Sequence, residues 1–280
     1  MKKLSLWIAV ALVCFLGLTF LTCDDDDSST SSEQDDDDTV DDDDDDDTDD
    51  DDTDDDDDTT DDDDEAGNYA LEFAGKEQYV QVPESYSLDI TGTEITVEAW
   101  VYAHAIDPEA ETGIAKKMFS DFYLGDVGWK LYLYEGKVRF AACNTLCFIA
   151  RADDAFVLDK WTHVAGTYNG EESAIWIDGV KAGSRAAEGI PFGDYVTTSS
   201  VIIGATSINE WQGFDLVIDE VRITEADLYE SAFTPEQTLS VGEYTRALWH
   251  FDEGEGLRVY DASEHENEGA VNGATWVERE

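Results

Sequence analysis

From residue 68 onward, apolar and polar side chains alternate in short runs, each closed by a turn signal. The run Ile95-Thr96-Val97-Glu98-Ala99-Trp100-Val101-Tyr102 places Ile95, Val97, Ala99 and Val101 on one face of an extended chain, since successive side chains of a strand point to opposite sides. Trp100 and Tyr102 fall on the other face, which predicts a strand covered on both sides toward its end. Leu131, Leu133, Val138 and Phe140 flank Glu135-Gly136, a hairpin signal. Asn169-Gly170 and Asp178-Gly179 are two more turn dipeptides of the kind that supplies positive φ, following the runs 161–168 and 174–177. Further strands are predicted over 201–205, 216–223 and 247–251. A first strand at 69–73 and a last at 274–277 are expected to pair with each other.

No segment carries an apolar helical stripe over three turns; residues 226–229 and 235–237 allow one turn each. The stretch 105–128 reads as loop. Many short strands with glycine-rich turns predict an all-β fold, a sandwich or closed barrel. The 7 Trp, 12 Tyr and 10 Phe of residues 66–280 suffice for one sizeable core.

Charge divides the chain. Of 280 residues, 68 are acidic and 16 basic, a net charge of -52. Residues 24–65 hold 28 Asp and 2 Glu with no basic residue, while residues 66–280 carry 38 acidic and 14 basic side chains. The acidic tract has no core-forming residue but Val40, so it is expected to be disordered and extended by its own repulsion, a stalk rather than a domain. Loose capture of cations is the rival reading. The acidic excess argues against a nucleic-acid partner, which needs a basic stripe.

Ahead of the tract, Lys2 and Lys3 precede an uncharged run from Leu4 to Thr22, the layout of a signal peptide over 1–23. A retained membrane anchor is the alternative; either way the chain after Cys23 is exported, to the outer membrane or cell surface or into the medium. Cys23 stands where a bacterial lipoprotein carries its lipidated cysteine, though Phe20 and Thr22 depart from the usual residues. Cys143 and Cys147 face each other at the start of the arms of a short predicted hairpin. In an exported domain this predicts a disulfide that stiffens the tip.

The segments 70–75, 79–80, 95–101, 161–168, 175–179, 203–204, 218–223 and Leu248-Trp249-His250-Phe251-Asp252-Glu253-Gly254, in this order, resemble the laminin-G-like jelly-roll domains of the concanavalin A-like lectin and glucanase superfamily. The resemblance implies a two-sheet antiparallel jelly-roll sandwich over residues 66–280, used outside the cell to recognise glycans or envelope and extracellular proteins. Trp100, Trp176 and Trp249 lie in alternating strands and read as core. Trp211 lies in polar turn-like sequence and is a candidate for stacking on a sugar, with Phe122 and Tyr123 as further ligand-binding candidates. The family also implies a calcium ion, for which Asp252, Asp261, Ser263 and the backbone near Asn267 are the candidate ligands. Asp219 and Glu220 are expected on opposite faces of one strand, with Arg222 on the face of Glu220. The string Glu225-Ala226-Asp227-Leu228-Tyr229-Glu230 matches the E-x-D-x-x-E of retaining glucanases. It lies outside an alternating frame, and the domain is expected to be non-catalytic.

Overall fold

The computed structural model of the protein describes residues 67–75, 77–121, 125–187, 199–206 and 214–279. The expected signal peptide, Cys23 and the acidic tract lie outside them. The described chain is a two-sheet antiparallel jelly-roll sandwich. One sheet has the order β10 (Val180–Ala186), β9 (Glu172–Ile177), β8 (Thr162–Tyr168), β3 (Ile95–Ile106), β12 (Phe214–Thr224), β1 (Tyr69–Phe73) and β16 (Thr275–Glu278), with β13 (Thr245–Trp249) pairing the far end of β12. The other has the order β14 (Arg258–Val259), β15 (Gly269–Asn272), β2 (Tyr79–Val82), β11 (Val201–Ile203), β4 (Thr112–Asp121), β5 (Gly125–Tyr134), β6 (Lys137–Asn144) and β7 (Leu146–Arg151). A 3₁₀ turn at Tyr86–Leu88 follows β2. Among the described residues no helix is long and apolar enough to cross a membrane.

The predicted alternation builds the core. Val97, Ala99 and Val101 of β3 meet Leu131, Leu133, Val138 and Phe140 of the opposite sheet between the layers, all fully buried. The sheets touch closely at β8, where a Cβ on Gly166 would stand 2.3 Å from the Phe140 ring, so only glycine fits there. Two of the three hairpin dipeptides make two-residue turns: Glu135 and Gly136 have φ of 54° and 67°, and Asp178 and Gly179 have 48° and 77°, the doubly positive φ of a type I′ turn, while at Asn169-Gly170 only the glycine is positive, at 85°. The first and last strands pair, with Leu71 opposite Trp276.

Two expectations fail, both at β-bulges. Residues 105–128 are mostly not loop, since β4 occupies Thr112–Asp121. Its register shifts between Gly113 and Ala115, so Ile114 and Ala115 are both buried and the alternation loses phase. Lys117, also buried, salt-bridges Asp89 at 2.7 Å. In β12 the register shifts between Asp219, opposite Trp100, and Arg222, opposite Glu98. Glu220 takes φ 55° in this bulge, so the expected contact between Glu220 and Arg222 is replaced by bonds to other partners.

Cys143 and Cys147 are directly opposed across β6 and β7 and form a disulfide, with Cα atoms 4.1 Å apart. The loop it closes is short, so replacing both cysteines by serine is expected to cost only about 2 kcal/mol in urea unfolding. A loss much above this would mean that the bridge supports packing beyond its own hairpin.

Candidate binding face

The outer faces of the two sheets differ. On the first sheet, Glu98, Trp100, His163 and Trp176 point away from the core yet are buried, because residues 225–244 lie across them. Tyr229 and Phe233 of this segment stack at 3.7 Å between ring centroids, and both rings contact Trp176. Trp100 Nε1 donates to the Glu236 carbonyl at 2.9 Å. Beneath the cover, Glu98 accepts from Arg222 Nε at 2.8 Å and from the Tyr229 hydroxyl, and bonds His163 Nε2 at 3.0 Å. Burial pushes the Glu98 pKa up, but the His163 hydrogen bond, the Arg222 charge and the Tyr229 hydroxyl outweigh it and hold the carboxyl below its ordinary range.

The second sheet presents a different surface. On β5, Trp129, Leu131 and Leu133 face the core while Lys130, Tyr132 and Tyr134 face outward. On β6, Val138 and Phe140 face in while Arg139, Ala141 and Cys143 face out. Register then sets Lys116 opposite Lys130, Tyr132 opposite Arg139, and Arg139 opposite Arg151. Like charges placed directly opposite each other are destabilising, and here two such pairs share one face of a domain that is otherwise acidic. Glu111 pairs with Lys130 at 2.6 Å, and Glu135 pairs with Arg139 and lies 4.0 Å from Arg151. Among the described residues, four cations thus have two carboxylates near them, and Lys116 Nζ also donates to the Thr206 carbonyl. Burial, and then the Lys130 charge, lower the Lys116 pKa. Lys130 lies 4.1 Å over the Tyr132 ring and Arg139 4.6 Å over that of Tyr134, geometry that keeps the rings and cations in one layer. Burial, with Glu111 adding, pushes the Tyr132 hydroxyl up to about 12. Met118 and the Cys143–Cys147 bridge pack against Tyr132 and Tyr134. The layer sits on paired strands and so is preorganised. Cavities of about 400 Å³ lie elsewhere, one lined by Glu84, Arg258, His265 and Glu268 and one by Asp153, Phe156 and Lys181. The basic rows form a surface instead.

Of the predicted site residues, Trp211, Phe122 and Tyr123 lie outside the described residues. Three of the four calcium candidates, Asp261, Ser263 and Asn267, meet in one turn, as hydrogen-bond partners of one another. Asp261 accepts five hydrogen bonds, from the backbone of Leu248, Ser263 and Asn267 and from the side chains of Ser263 and Asn267. Its oxygens therefore already serve as acceptors for N–H and O–H groups. Asp252 has other partners, accepting from Tyr69 N at 3.3 Å and lying beside Glu220 and His250. The four do not fit a calcium cage, because Asp261 is used as the staple of its own turn. In the glucanase-like string, Glu225 pairs with Arg246, Asp227 accepts from Asn169 at 2.9 Å, and Glu230 is exposed. All three follow β12 in the covering segment, not on a strand.

The family model described as the concanavalin A-like lectin/glucanases superfamily matches residues 74–237, more than half of the chain. Among solved structures, a Bacteroides ovatus protein proposed to bind carbohydrate aligns with 17% identity and a TM-score of 0.57, over 76% of this chain and 60% of that one. The chain therefore spans about three fifths of that protein's length. A pentraxin from Limulus polyphemus aligns with 12% identity and a TM-score of 0.41, over 58% of this chain and 78% of that one. A botulinum neurotoxin binding domain, solved in complex with SialylT, aligns with 12% identity and a TM-score of 0.42, over 57% and 39%. A search of curated proteins finds no match. With its two-sheet jelly roll and its matched core strands, the chain belongs to the laminin-G-type branch of the concanavalin A-like lectin/glucanase superfamily.

Proposed function

We propose that this chain is a non-catalytic recognition module that acts outside the cytoplasm and binds a negatively charged glycan across the outer face of the sheet containing β4 to β7. One observation carries the reading: Lys116, Lys130, Arg139 and Arg151 are gathered around Tyr132 and Tyr134 in a domain whose overall charge is strongly negative. Holding like charges together costs stability, and an anionic ligand would recover that cost. Arginine and lysine bind carboxylate or sulfate by charge-assisted hydrogen bonds, and Tyr134, half-buried beside the buried Tyr132, offers flat apolar area to a sugar ring. The Cys143–Cys147 bridge supports an oxidising compartment. In this reading the aspartate tract is the spacer between the domain and a leader or lipid attachment at Cys23.

The test is a glycan array containing uronic-acid, sulfated and neutral chains, followed by titration of the best ligand. Binding should favour the anionic chains and weaken as salt rises. Arg139→Ala should weaken it about tenfold or more, as expected for loss of one charge-assisted hydrogen bond. Neutral chains bound as well as anionic ones, with no effect of Arg139→Ala, would remove this face from the account. An acidic envelope protein captured in place of any glycan would keep the face and change the partner.

A further inference from the structure

On the other sheet, Glu220 projects from the β12 bulge beside the end of β13. Val221 pairs with Trp249, so Glu220 and His250 are the next cross-strand neighbours. His250 Nδ1 lies 2.9 and 3.0 Å from the two Glu220 oxygens. Asp252 closes the group: one donor atom from each of Glu220, His250 and Asp252 lies within 4.8 Å of the others. A tetrahedral zinc-class ion with ligands at about 2.0–2.2 Å holds them ~3.4 Å apart, so side-chain adjustments of up to about an ångström would seat one ion.

Next in sequence to two of the three residues stand further carboxylates with buried oxygens. Asp219 is 1% exposed; its Oδ2 pairs with Arg279, and among the described residues its buried Oδ1 has no side-chain partner. Glu253 Oε2 is likewise buried and unpartnered, while its Oε1 accepts from Tyr260 N. Asp219, paired with Arg279, thus adjoins Glu220 in the chain, and Glu253 adjoins Asp252. A divalent cation between Glu220 and Asp252 would give both carboxylates one shared counter-charge.

We propose that Glu220, His250 and Asp252 form a binding site for one divalent transition-metal ion of the zinc class. An imidazole nitrogen with carboxylate oxygens suits a borderline ion, whereas calcium takes 6–8 oxygens and has no use for the imidazole. The His250 side chain is 29% exposed, which leaves a path for the ion. Glu220 Oε2 is steadied by Leu239 N at 2.8 Å and Asp252 Oδ1 by Tyr69 N, the outer contacts that orient metal-binding carboxylates.

The experiment is thermal melting of the full chain in EDTA, in zinc and in calcium, with His250→Gln and Asp252→Asn alongside. Both substitutions keep polar atoms that can hold the present hydrogen bonds, and the aspartate tract is common to every sample. Zinc at about a hundredfold excess over Kd should raise the parent's melting midpoint by roughly 5 °C or more, and calcium should not. Each variant should melt near the parent in EDTA and lose the zinc shift. If one variant folds poorly, the other still decides. No zinc shift in the parent, or a shift retained in both variants, would overturn the site, the second result assigning the effect to the aspartates.

Discussion

Glu98→Gln is expected to unfold with a free energy about 3–5 kcal/mol below that of the parent chain, the range found when one member of a buried ion pair is removed. The side chain is fully buried and serves Arg222, His163 and Tyr229 together. The change keeps its volume but leaves Arg222, only 12% exposed, without its counter-charge. Because these contacts join β3, β8 and β12 to the segment carrying Tyr229, the loss should appear as a lower urea midpoint and a melting midpoint down by roughly 10 °C. Replacing Glu98 and Arg222 together by apolar residues should recover part of the loss. If the double variant were no better than the single one, the missing counter-charge could not be the cause. The pH dependence has a definite sign. The folded pKa of Glu98 lies below its ordinary value, so its contribution is complete above the ordinary carboxylate pKa and is lost as pH falls through the lower folded value. Parent and Glu98→Gln should therefore differ most near neutrality and converge in strong acid.

Trp249→Ala should cost a similar amount, about 3–5 kcal/mol. Its ring is fully buried in the core, and its Nε1 donates to the Asn267 carbonyl at 2.8 Å. That bond fastens β13 to the turn organised by Asp261, whose carboxylate in turn accepts from Leu248 N. The cavity and the freed carbonyl should add, so Trp249→Phe, which keeps most of the packing and loses only the donor, should recover more than half of the loss. Equal losses in the two variants, read by urea unfolding, would place the whole effect in the hydrogen bond and refute the packing argument.

Neither position stands out in the chain by the role it has. Trp249 was legible as core from its alternating neighbours, but its bond to Asn267 was not. Glu98 occupied the face opposite Val97 and Ala99, where alternation ordinarily predicts an exposed residue. It is buried because a segment more than a hundred residues later folds over it. The basic face was partly within reach: once Glu135-Gly136 is read as a two-residue turn, Tyr132 must oppose Arg139. Lys116 was not, because β4 hides behind its own bulge and the inward-facing Lys117.

What the amino-acid order settled was local: the period-two runs, the turn dipeptides with positive φ, and the cysteines close enough to face each other across one hairpin. These need only short-range sterics and the burial of one face, so sheets, core and disulfide could be read before any partner was known. Which charges meet was decided by folding over long separations. The bulge at Glu220 turns it from Arg222 toward His250, and Asp219 finds Arg279 some sixty residues away. A bulge adds one residue to one strand and inverts every side chain beyond it. A one-residue choice, stabilised only by the packed sheets, therefore separates the acids that share a metal-sized space from those that merely lie near each other in the chain.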